Sequence, residues 1–339
     1  MQNFANSLIY WFEGQKRDLP WRKKRSSYHV WISEIILQQT KVAQGNSYFK
    51  RFIELFPDIK TLAKAQEREV LKAWEGLGYY SRARNLHASA KQIMDKYDGI
   101  FPTSYKDIIS LKGVGPYTAG AILSFSQNLP YPAIDGNTIR VISRIFEIDT
   151  PSHIKETTKQ MECIIKELYK YGSPREVNEA IIELGALICS PKNPQCKLCP
   201  ISDTCIAYNK NIIDKLPVIK KKTPPKTREL NFLIIDGPDN TTYIEERSGK
   251  DIWKGLYTPM MIEENNMDRL TKQVGLIIEG VKKIHKFDYI EHKLTHQTLK
   301  ITIWRGSTEI KSSHLIPKEE IKEFPTAKPF IELFKKSMN

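Results

Sequence analysis

Residues 111–126 read LKGVGPYTAGAILSFS, and this stretch decides the fold. Gly113 and Gly115 permit backbone conformations and close approaches that a Cβ would block, and Pro116 suits the first turn of a helix. The pattern therefore predicts two helices joined by a tight turn. The turn amides and the second helix N-terminus can bind a phosphate, although a plain helix corner packed in a core fits the turn equally well.

The overall charge favours the phosphate interpretation. The chain of 339 residues has 52 Lys and Arg against 39 Asp and Glu, a formal net charge of +13. Such an excess indicates a polyanionic partner, and nucleic acid fits better than an anionic membrane surface. No apolar run is long enough to span a bilayer and no secretory signal is visible, so we expect a cytoplasmic monomer without a membrane partner, associated with the nucleoid if bacterial.

The pattern of apolar residues predicts two domains. Helical spacing continues to about residue 210, where LPVIKKKTPPKTR (216–228) is typical of a linker. Beyond it, NFLIIDGPDNTTYIEER (231–247) indicates two strands around a turn, TLKITIW (298–304) alternates, and a final helix is expected at 327–337. We predict a mainly α domain (1–214), a linker (215–228) and a smaller α+β domain (229–339).

Four cysteines in CSPKNPQCKLCPISDTC (189–205) predict a metal centre. Cys189, Cys196, Cys199 and Cys205 are separated by gaps of six, two and five residues. Structural zinc usually uses two short Cys-x-x-Cys pairs, whereas only one is present, so the spacing favours an iron–sulfur cluster without excluding zinc. Cys163, in MECIIKELY, is expected to be a small buried hydrophobe in a helix.

Two carboxylates stand out. In WISEIILQQT (31–40), Glu34 is surrounded by apolar residues, so it either lies on the wet edge of a helix or has a raised pKa. In YPAIDGNTIRVISRIF (131–146), Asp135 precedes Gly136 and Asn137 at a helix start. Turn and N-cap chemistry explains Asp135 by itself, but a helix N-terminus also favours an anion. Together the two residues can divide acid and electrostatic roles.

Two segments mix basic and aromatic residues: RDLPWR (17–22) and EGLGYYSRARNLH (75–87). This combination suits phosphate contacts with base stacking, and a solvated basic face with core aromatics explains most of these residues equally well.

These motifs, in this order, resemble the adenine DNA glycosylases (the MutY family) of the helix-hairpin-helix DNA repair superfamily. The resemblance runs from about residue 4 to the end and is most specific in 17–40, 74–87, 111–140 and 178–205. It implies a helix-hairpin-helix glycosylase fold, a [4Fe–4S] cluster, and excision of adenine mispaired with 8-oxoguanine or guanine in double-stranded DNA during base excision repair.

The resemblance also implies roles for individual residues. Glu34 looks like the general acid and base that protonates adenine N7, and Asp135 looks like the carboxylate that stabilises or traps the oxocarbenium ion. Tyr117 and Asn137 match positions that assist at the sugar and the second carboxylate. The pocket for the flipped adenine would be lined by Leu19, Trp21, Arg22, Glu179 and Ile182. Gln39 and Tyr79 match residues that wedge into the duplex, and the cluster ligands would be Cys189, Cys196, Cys199 and Cys205.

The endonuclease III type of the same superfamily shares the hairpin, the aspartate and the cluster. That type has a Schiff-base lysine where this chain has Tyr117, and it lacks the acidic residue matching Glu34. Both differences predict a monofunctional glycosylase that leaves an abasic site, with lyase activity absent or weak.

The C-terminal part resembles the Nudix-like domain that recognises 8-oxoguanine in this family. DIWKGLYTPM (251–260) matches one of its stretches in type, and Leu294-Thr295-His296 stands where the family has a Phe-Ser-His loop. Thr295 and His296 keep the hydroxyl and the imidazole, while the aromatic is lost; without the resemblance, His296 would be a surface strand histidine. The acidic Nudix box is not visible, so no pyrophosphohydrolase activity is expected.

Two other functional classes remain open from the residues alone. A DNA-binding protein with a structural metal explains the charge, the hairpin and the cysteines, but leaves Glu34 unexplained. A cluster-based redox sensor would change its DNA affinity with the state of the cluster.

Overall fold

The computed structural model describes residues 1–219, 224–249, 251–262, 274–275 and 277–338. The chain divides into two compact units, Met1–Lys64 with Asn85–Lys221 (unit 1) and Ala65–Arg84 with Lys222–Asn339 (unit 2). Unit 1 is helical and unit 2 contains a sheet, which confirms the predicted fold class. Residues 65–84 belong to unit 2, whereas the predicted boundaries place them in the first domain (1–214).

Helices are the main secondary structure of the chain. In chain order they are α1 (Gln2–Gln15), α2 (Pro20–Lys23), α3 (Ser27–Leu37), α4 (Val42–Leu55), α5 (Ile59–Lys64), α6 (Glu67–Ala73), α7 (Ser81–Tyr97), α8 (Tyr105–Ile109), α9 (Pro116–Gln127), α10 (Gly136–Phe146), α11 (Lys155–Leu168), α12 (Pro174–Leu187), α13 (Ile206–Asn209) and a C-terminal helix (Lys328–Met338). Short 3-10 helices lie at Cys196–Leu198, Ser202–Thr204, Ile213–Lys215 and Lys318–Glu323. Among the described residues, no helix combines the length and the hydropathy that crossing a bilayer requires.

The core that supports the site is formed by α1, α10 and α12. Phe4, Leu8 and Phe12 of α1 pack in one cluster with Ile142 of α10 and Ile181 of α12, and all five side chains are buried. Burying several large apolar side chains at about 1.5–3 kcal/mol each fixes these helices against one another. The first residues of α10 and the middle of α12 are thereby held in place.

The predicted hairpin is present. It consists of α8, a turn and α9, and Pro116 occupies the first position of α9. Gly113 has φ +79°, and a Cβ there would approach Asn85 Cβ to 2.9 Å, so both conformation and space require glycine. Gly115 is the N-cap of α9, and no described atom outside its immediate neighbours lies within 4 Å of the position that its Cβ would occupy.

Unit 2 is built on a six-stranded sheet with the order β6-β7-β1-β2-β8, in which β5 also pairs with β1. Its strands are β1 (Lys226–Gly237), β2 (Thr241–Tyr243), β5 (Met260–Ile262), β6 (Lys282–Lys293), β7 (Gln297–Ser307) and β8 (Leu315–Pro317), and β3 (Glu245–Glu246) pairs with β4 (Tyr257–Thr258) in a second sheet. β1 and β2 form the predicted hairpin, and the predicted alternation in β7 buries Leu299, Ile301 and Ile303 completely.

Two predictions about the chain are wrong. The linker does not extend to residue 228, because β1 already begins at Lys226, where it pairs in parallel with β7 from Gln297; residues 220–223 of the predicted linker lie outside the described residues. Cys163 is exposed rather than buried. The buried face of α11 is taken by Met161, Ile165 and Leu168, and position 163 points to the opposite side of the helix.

Candidate active site

A cavity of about 500 Å³ in unit 1 collects most of the site residues predicted from the sequence. Its walls come from α2 and the segment before it, from α3 and the residues that follow it, from α9 and α12, and from the start of α10. The predicted residues among its lining are Leu19, Trp21, Arg22, Glu34, Gln39, Tyr117, Asp135, Asn137, Glu179 and Ile182. The cavity lies within the size range of small-molecule sites, so it can hold a nucleobase with its sugar.

Glu34 is buried in α3 and 6% exposed, so the wet-edge interpretation is wrong. Tyr117 donates a hydrogen bond from its hydroxyl to Glu34 Oε2 at 2.6 Å. Burial is the main cause that raises the pKa of Glu34 to about 7; Asp135 and Glu179 raise it further, while Tyr117 and Arg22 lower it. A carboxyl with this pKa is partly protonated at neutral pH and can act as an acid.

Asp135 is the N-cap of α10, as predicted. Its Oδ1 accepts a hydrogen bond from Thr138 N at 2.8 Å, and its Oδ2 accepts one from Asn137 Nδ2 at 2.7 Å. Donors to both oxygens, together with the positive end of the helix dipole, stabilise the carboxylate form. The two carboxylates in the cavity therefore have opposite environments.

Arg140 orients the amide of Asn137. Arg140 Nη2 donates to Asn137 Oδ1 at 2.8 Å and to Gly185 O at 2.7 Å, which leaves the Asn137 amide nitrogen facing Asp135. Arg140 Nε also donates to Cys189 O at 2.6 Å. Hydrogen bonds thus connect the cysteine loop to the carboxylate in the cavity.

The sequence analysis missed three charged residues beside the cavity. Glu183 is fully buried in α12 and bonds Arg17 and Arg22, while Arg25 forms a bidentate pair with Glu179 at 2.8 and 3.1 Å. The signal available in the sequence was the spacing of Glu179 and Glu183, four residues apart in the otherwise apolar segment 179–187 of α12, which places both on one face.

The two candidate wedge residues share a local geometry. Gln39 follows α3 with φ +58°, and Tyr79 precedes α7 with φ +48°. Both side chains are exposed, Tyr79 by 39%. A left-handed residue turns the chain sharply, so each side chain is presented at the tip of a bend.

Tyr79 belongs to unit 2, where it contacts the Leu294-Thr295-His296 segment that is predicted to contact 8-oxoguanine. Leu294 N donates to Gln297 O at 2.8 Å and closes the turn between β6 and β7. The hydroxyl groups of Tyr79 and Thr295 are hydrogen-bonded, and both residues line a cavity of about 620 Å³ together with His296. The structure therefore brings together Tyr79, Thr295 and His296, which lie far apart in the sequence.

The four cysteines of 189–205 line one small cavity whose other walls are mostly apolar. Arg144 Nη1 donates to Cys189 Sγ at 3.3 Å, and burial raises the pKa of Cys199 to about 12, so a cationic group is needed to stabilise its thiolate. Within the described residues, no group of three or more Cys, His, Asp or Glu side chains is placed to hold a single metal ion. Four thiols that line one cavity are a donor set that an iron–sulfur cluster can use.

Comparison with known proteins identifies the class of both units. Residues 32–169 match the family described as "HhH-GPD superfamily base excision DNA repair protein", and residues 231–336 match the family described as "NUDIX domain". A thermostable thymine-DNA glycosylase aligns with a TM-score of 0.57 and 27% identity, covering 61% of this chain and 95% of that one. Endonuclease III in a non-covalent DNA complex has the same fold, with a TM-score of 0.51 and 21% identity over 62% of this chain and 95% of that one. The chain is a helix-hairpin-helix DNA glycosylase joined to a Nudix-like domain.

The curated relatives narrow this class. The adenine DNA glycosylase of Buchnera aphidicola subsp. Baizongia pistaciae (strain Bp) is 39% identical over 306 residues, which cover 89% of this chain and 85% of the relative. The chain therefore belongs to the adenine DNA glycosylase family, as the motifs indicated, and it is a hydrolase of N-glycosyl bonds.

Proposed function

We propose that the protein excises adenine mispaired with 8-oxoguanine or guanine in double-stranded DNA, during base excision repair, and leaves an abasic site. One observation carries the proposal: a buried, partly protonated Glu34 and an N-capping Asp135 line the same cavity. Neither a DNA-binding scaffold nor a redox sensor needs this pair.

The substrate adenine reaches the cavity by leaving the base stack, because its N-glycosidic bond is inaccessible inside a duplex. Leu19, Trp21 and Ile182 provide apolar walls for the purine, and Arg22 and Glu179 provide polar groups for its edges. Apolar walls with a few placed polar groups are typical of a site that binds one small ring system.

The reaction then uses the two carboxyl groups in different states. Glu34 donates its proton to adenine N7, and the C1′–N9 bond breaks with both electrons going to the base, which departs neutral. The sugar becomes an oxocarbenium ion, which the Asp135 carboxylate stabilises or traps. Water attacks C1′ and gives its proton to the Glu34 carboxylate, which restores the enzyme.

Tyr117 supports the monofunctional mechanism. Its phenol hydrogen-bonds Glu34 at the position where a lyase needs an amine. Among the residues that the structure describes, those lining the cavity include no lysine. A Schiff base with C1′ therefore has no amine in the cavity to form it.

Recognition of the mispair is assigned to other parts of the chain. Gln39 and Tyr79 serve as wedges that keep the duplex open, and Thr295 and His296 contact the oxidised guanine. Gly113 and Gly115 bind a DNA phosphate through their backbone amides, which the open space beside Gly115 permits.

Cys189, Cys196, Cys199 and Cys205 would hold a [4Fe–4S] cluster. When bound, the cluster supplies a cross-link that orders the 189–205 loop. Through the Cys189 carbonyl, this loop supports Arg140, which in turn orients Asn137 beside Asp135.

The test uses duplexes that contain adenine opposite 8-oxoguanine or guanine, followed by hot alkali, which cuts at abasic sites. We expect cleavage by the wild-type protein only after alkali, and a loss of activity in Glu34→Gln. Glu13→Gln changes an exposed carboxylate in a surface ion pair and is the matched control. Absence of cleavage by the wild type would refute the proposed substrate, and a fully active Glu34→Gln would refute the proposed acid. Cleavage without alkali would contradict the monofunctional assignment.

A further inference from the structure

Glu183 is a fully buried carboxylate in the wall of the cavity, and the proposed reaction does not use it. Its Oε1 accepts hydrogen bonds from Arg17 N at 3.1 Å and Arg17 Nε at 2.7 Å, and its Oε2 accepts from Arg17 Nη2 and Arg22 Nη2, both at 2.9 Å. Burial alone would raise the pKa of Glu183, but the hydrogen bonds from Arg17 and Arg22 outweigh it and lower the pKa. Glu183 is therefore an anion at neutral pH.

Arg22 is held between two carboxylates. Its Nη2 donates to Glu183, its Nε lies 3.5 Å from Glu179 Oε1, and its Nη1 donates to Arg17 O at 3.1 Å. Glu179 is also paired with Arg25, so charges alternate along a chain of Arg17, Glu183, Arg22, Glu179 and Arg25, which we call the arginine–glutamate ladder. Each buried charge in the ladder is compensated by its neighbours.

We propose that Glu183 is a positioning residue for adenine excision: it fixes the Arg22 guanidinium in the cavity and offsets its charge, so that Arg22 does not draw Glu34 into its ionised form. The inference rests on the proposed role of Glu34 as the acid. It adds a residue of the cavity wall whose part in excision is played through Arg22.

The groups that face Glu34 make this role necessary. They are Arg22 from α2, Tyr117 from α9, Asp135 at the start of α10 and Glu179 from α12, and Arg22 is the cation of this set. A nearby positive charge favours the ionised form of Glu34, which cannot donate a proton. Without the Glu183 anion, the charge of Arg22 is less compensated and acts more strongly on Glu34.

The ladder predicts pH shifts of opposite sign for the removal of Glu183 and the removal of Arg17, its partner on the side away from Arg22. Glu183→Gln keeps the shape and removes the anion, so the pH above which single-turnover excision falls should move down by up to about one unit. The rate should then drop up to about fivefold at the original midpoint and up to about tenfold at higher pH, and it should recover at lower pH. Arg17→Gln removes a cation that Glu183 also compensates, so the same midpoint should move up. Glu183→Asp keeps the charge and should keep the midpoint while lowering the rate equally at every pH.

Folding is checked by thermal unfolding of each variant, and Glu13→Gln is the exposed control that should match the wild type. A folded Glu183→Gln with an unchanged midpoint, or with the same loss at every pH, would overturn the inference, because a merely structural residue behaves in that way. If Glu183→Gln does not fold, Arg17→Gln decides alone, and a midpoint that is unmoved or lowered overturns the inference. Failure of the proposed function looks different: the wild type would not act on the mispair, or Glu34→Gln would keep the wild-type rate.

Discussion

Removing the Tyr117 hydroxyl should extend excision to higher pH. The phenol donates a 2.6 Å hydrogen bond to Glu34 Oε2, and this bond lowers the pKa of Glu34 against the larger effect of burial. A hydrogen bond to a charged group contributes about 1.5–3 kcal/mol, and one pKa unit corresponds to about 1.4 kcal/mol. Tyr117→Phe should therefore move the midpoint of the pH–rate curve upward by about one to two pH units.

The sign follows from the protonation state that the reaction needs. Excision requires protonated Glu34, so the rate is high below the pKa of Glu34 and falls as the pH rises through it. In the wild type we expect this fall to be centred near pH 7, since burial raises the pKa of Glu34 to about 7. Phenylalanine removes the donor that stabilises the Glu34 carboxylate, so the rate begins to fall at a higher pH.

The assay measures single-turnover rates on a duplex with adenine opposite 8-oxoguanine, from about pH 5 to about pH 9. The plateau at low pH should also drop, because the Tyr117 side chain lines the cavity. Tyr10→Phe makes the same change on a side chain that is 86% exposed and should leave the curve unaltered. A midpoint for Tyr117→Phe that stays in place or moves down would refute the reasoning about Glu34.

Three further predictions concern the hairpin, the C-terminal sheet and the cysteine loop. Gly113→Ala places a Cβ 2.9 Å from Asn85 at φ +79° and should lower the free energy of unfolding by about 1–3 kcal/mol and weaken DNA affinity, measured by thermal melting and a binding titration. Burial would raise the pKa of Asp236, but hydrogen bonds from Arg305 and Lys318 outweigh it and lower the pKa. The stability that Asp236 contributes is therefore present above its unfolded-state pKa and is lost as the pH falls through its folded-state pKa. The melting temperature of Asp236→Asn should consequently fall less on acidification than that of the wild type. Cys199→Ser should reduce the iron content per chain and the visible absorbance, and an unchanged iron content would count against Cys199 as a ligand.

The sequence was sufficient for features that depend on neighbouring residues. The apolar residues around Glu34 lie within one helix, so the pattern of α3 marked Glu34 as an unusual carboxylate, while its burial stayed one of two alternatives. Asp135 caps α10 through Thr138 N three residues later, and this contact is also local. The hairpin turn around Gly113 depends on the conformational freedom of glycine, which the sequence states directly.

Features that depend on distant residues were not predictable in the same way. Glu179 and Glu183 are visibly on one face of α12, but their arginine partners come from residues more than 150 positions earlier. Likewise, residues 65–84 have an ordinary helical pattern, yet Glu75 Oε1 accepts from Thr326 N at 2.8 Å within unit 2. Periodicity identifies the buried face of an element and does not identify what covers it.

The contrast between Glu34 and Asp135 shows how one cavity can hold an acid and an anion. Glu34 receives one side-chain donor, from Tyr117, in a buried position, whereas Asp135 receives two donors at a helix N-terminus. Local structure supplies the environment of Asp135, because any N-cap carboxylate gains the same amide donor and dipole. Tertiary packing supplies the environment of Glu34, since burial and the distant charges of Arg22, Asp135 and Glu179 set its pKa. Substitutions elsewhere in the cavity wall can therefore retune the pKa of Glu34, whereas the hydrogen bonds to Asp135 depend only on α10 beginning at the same residue.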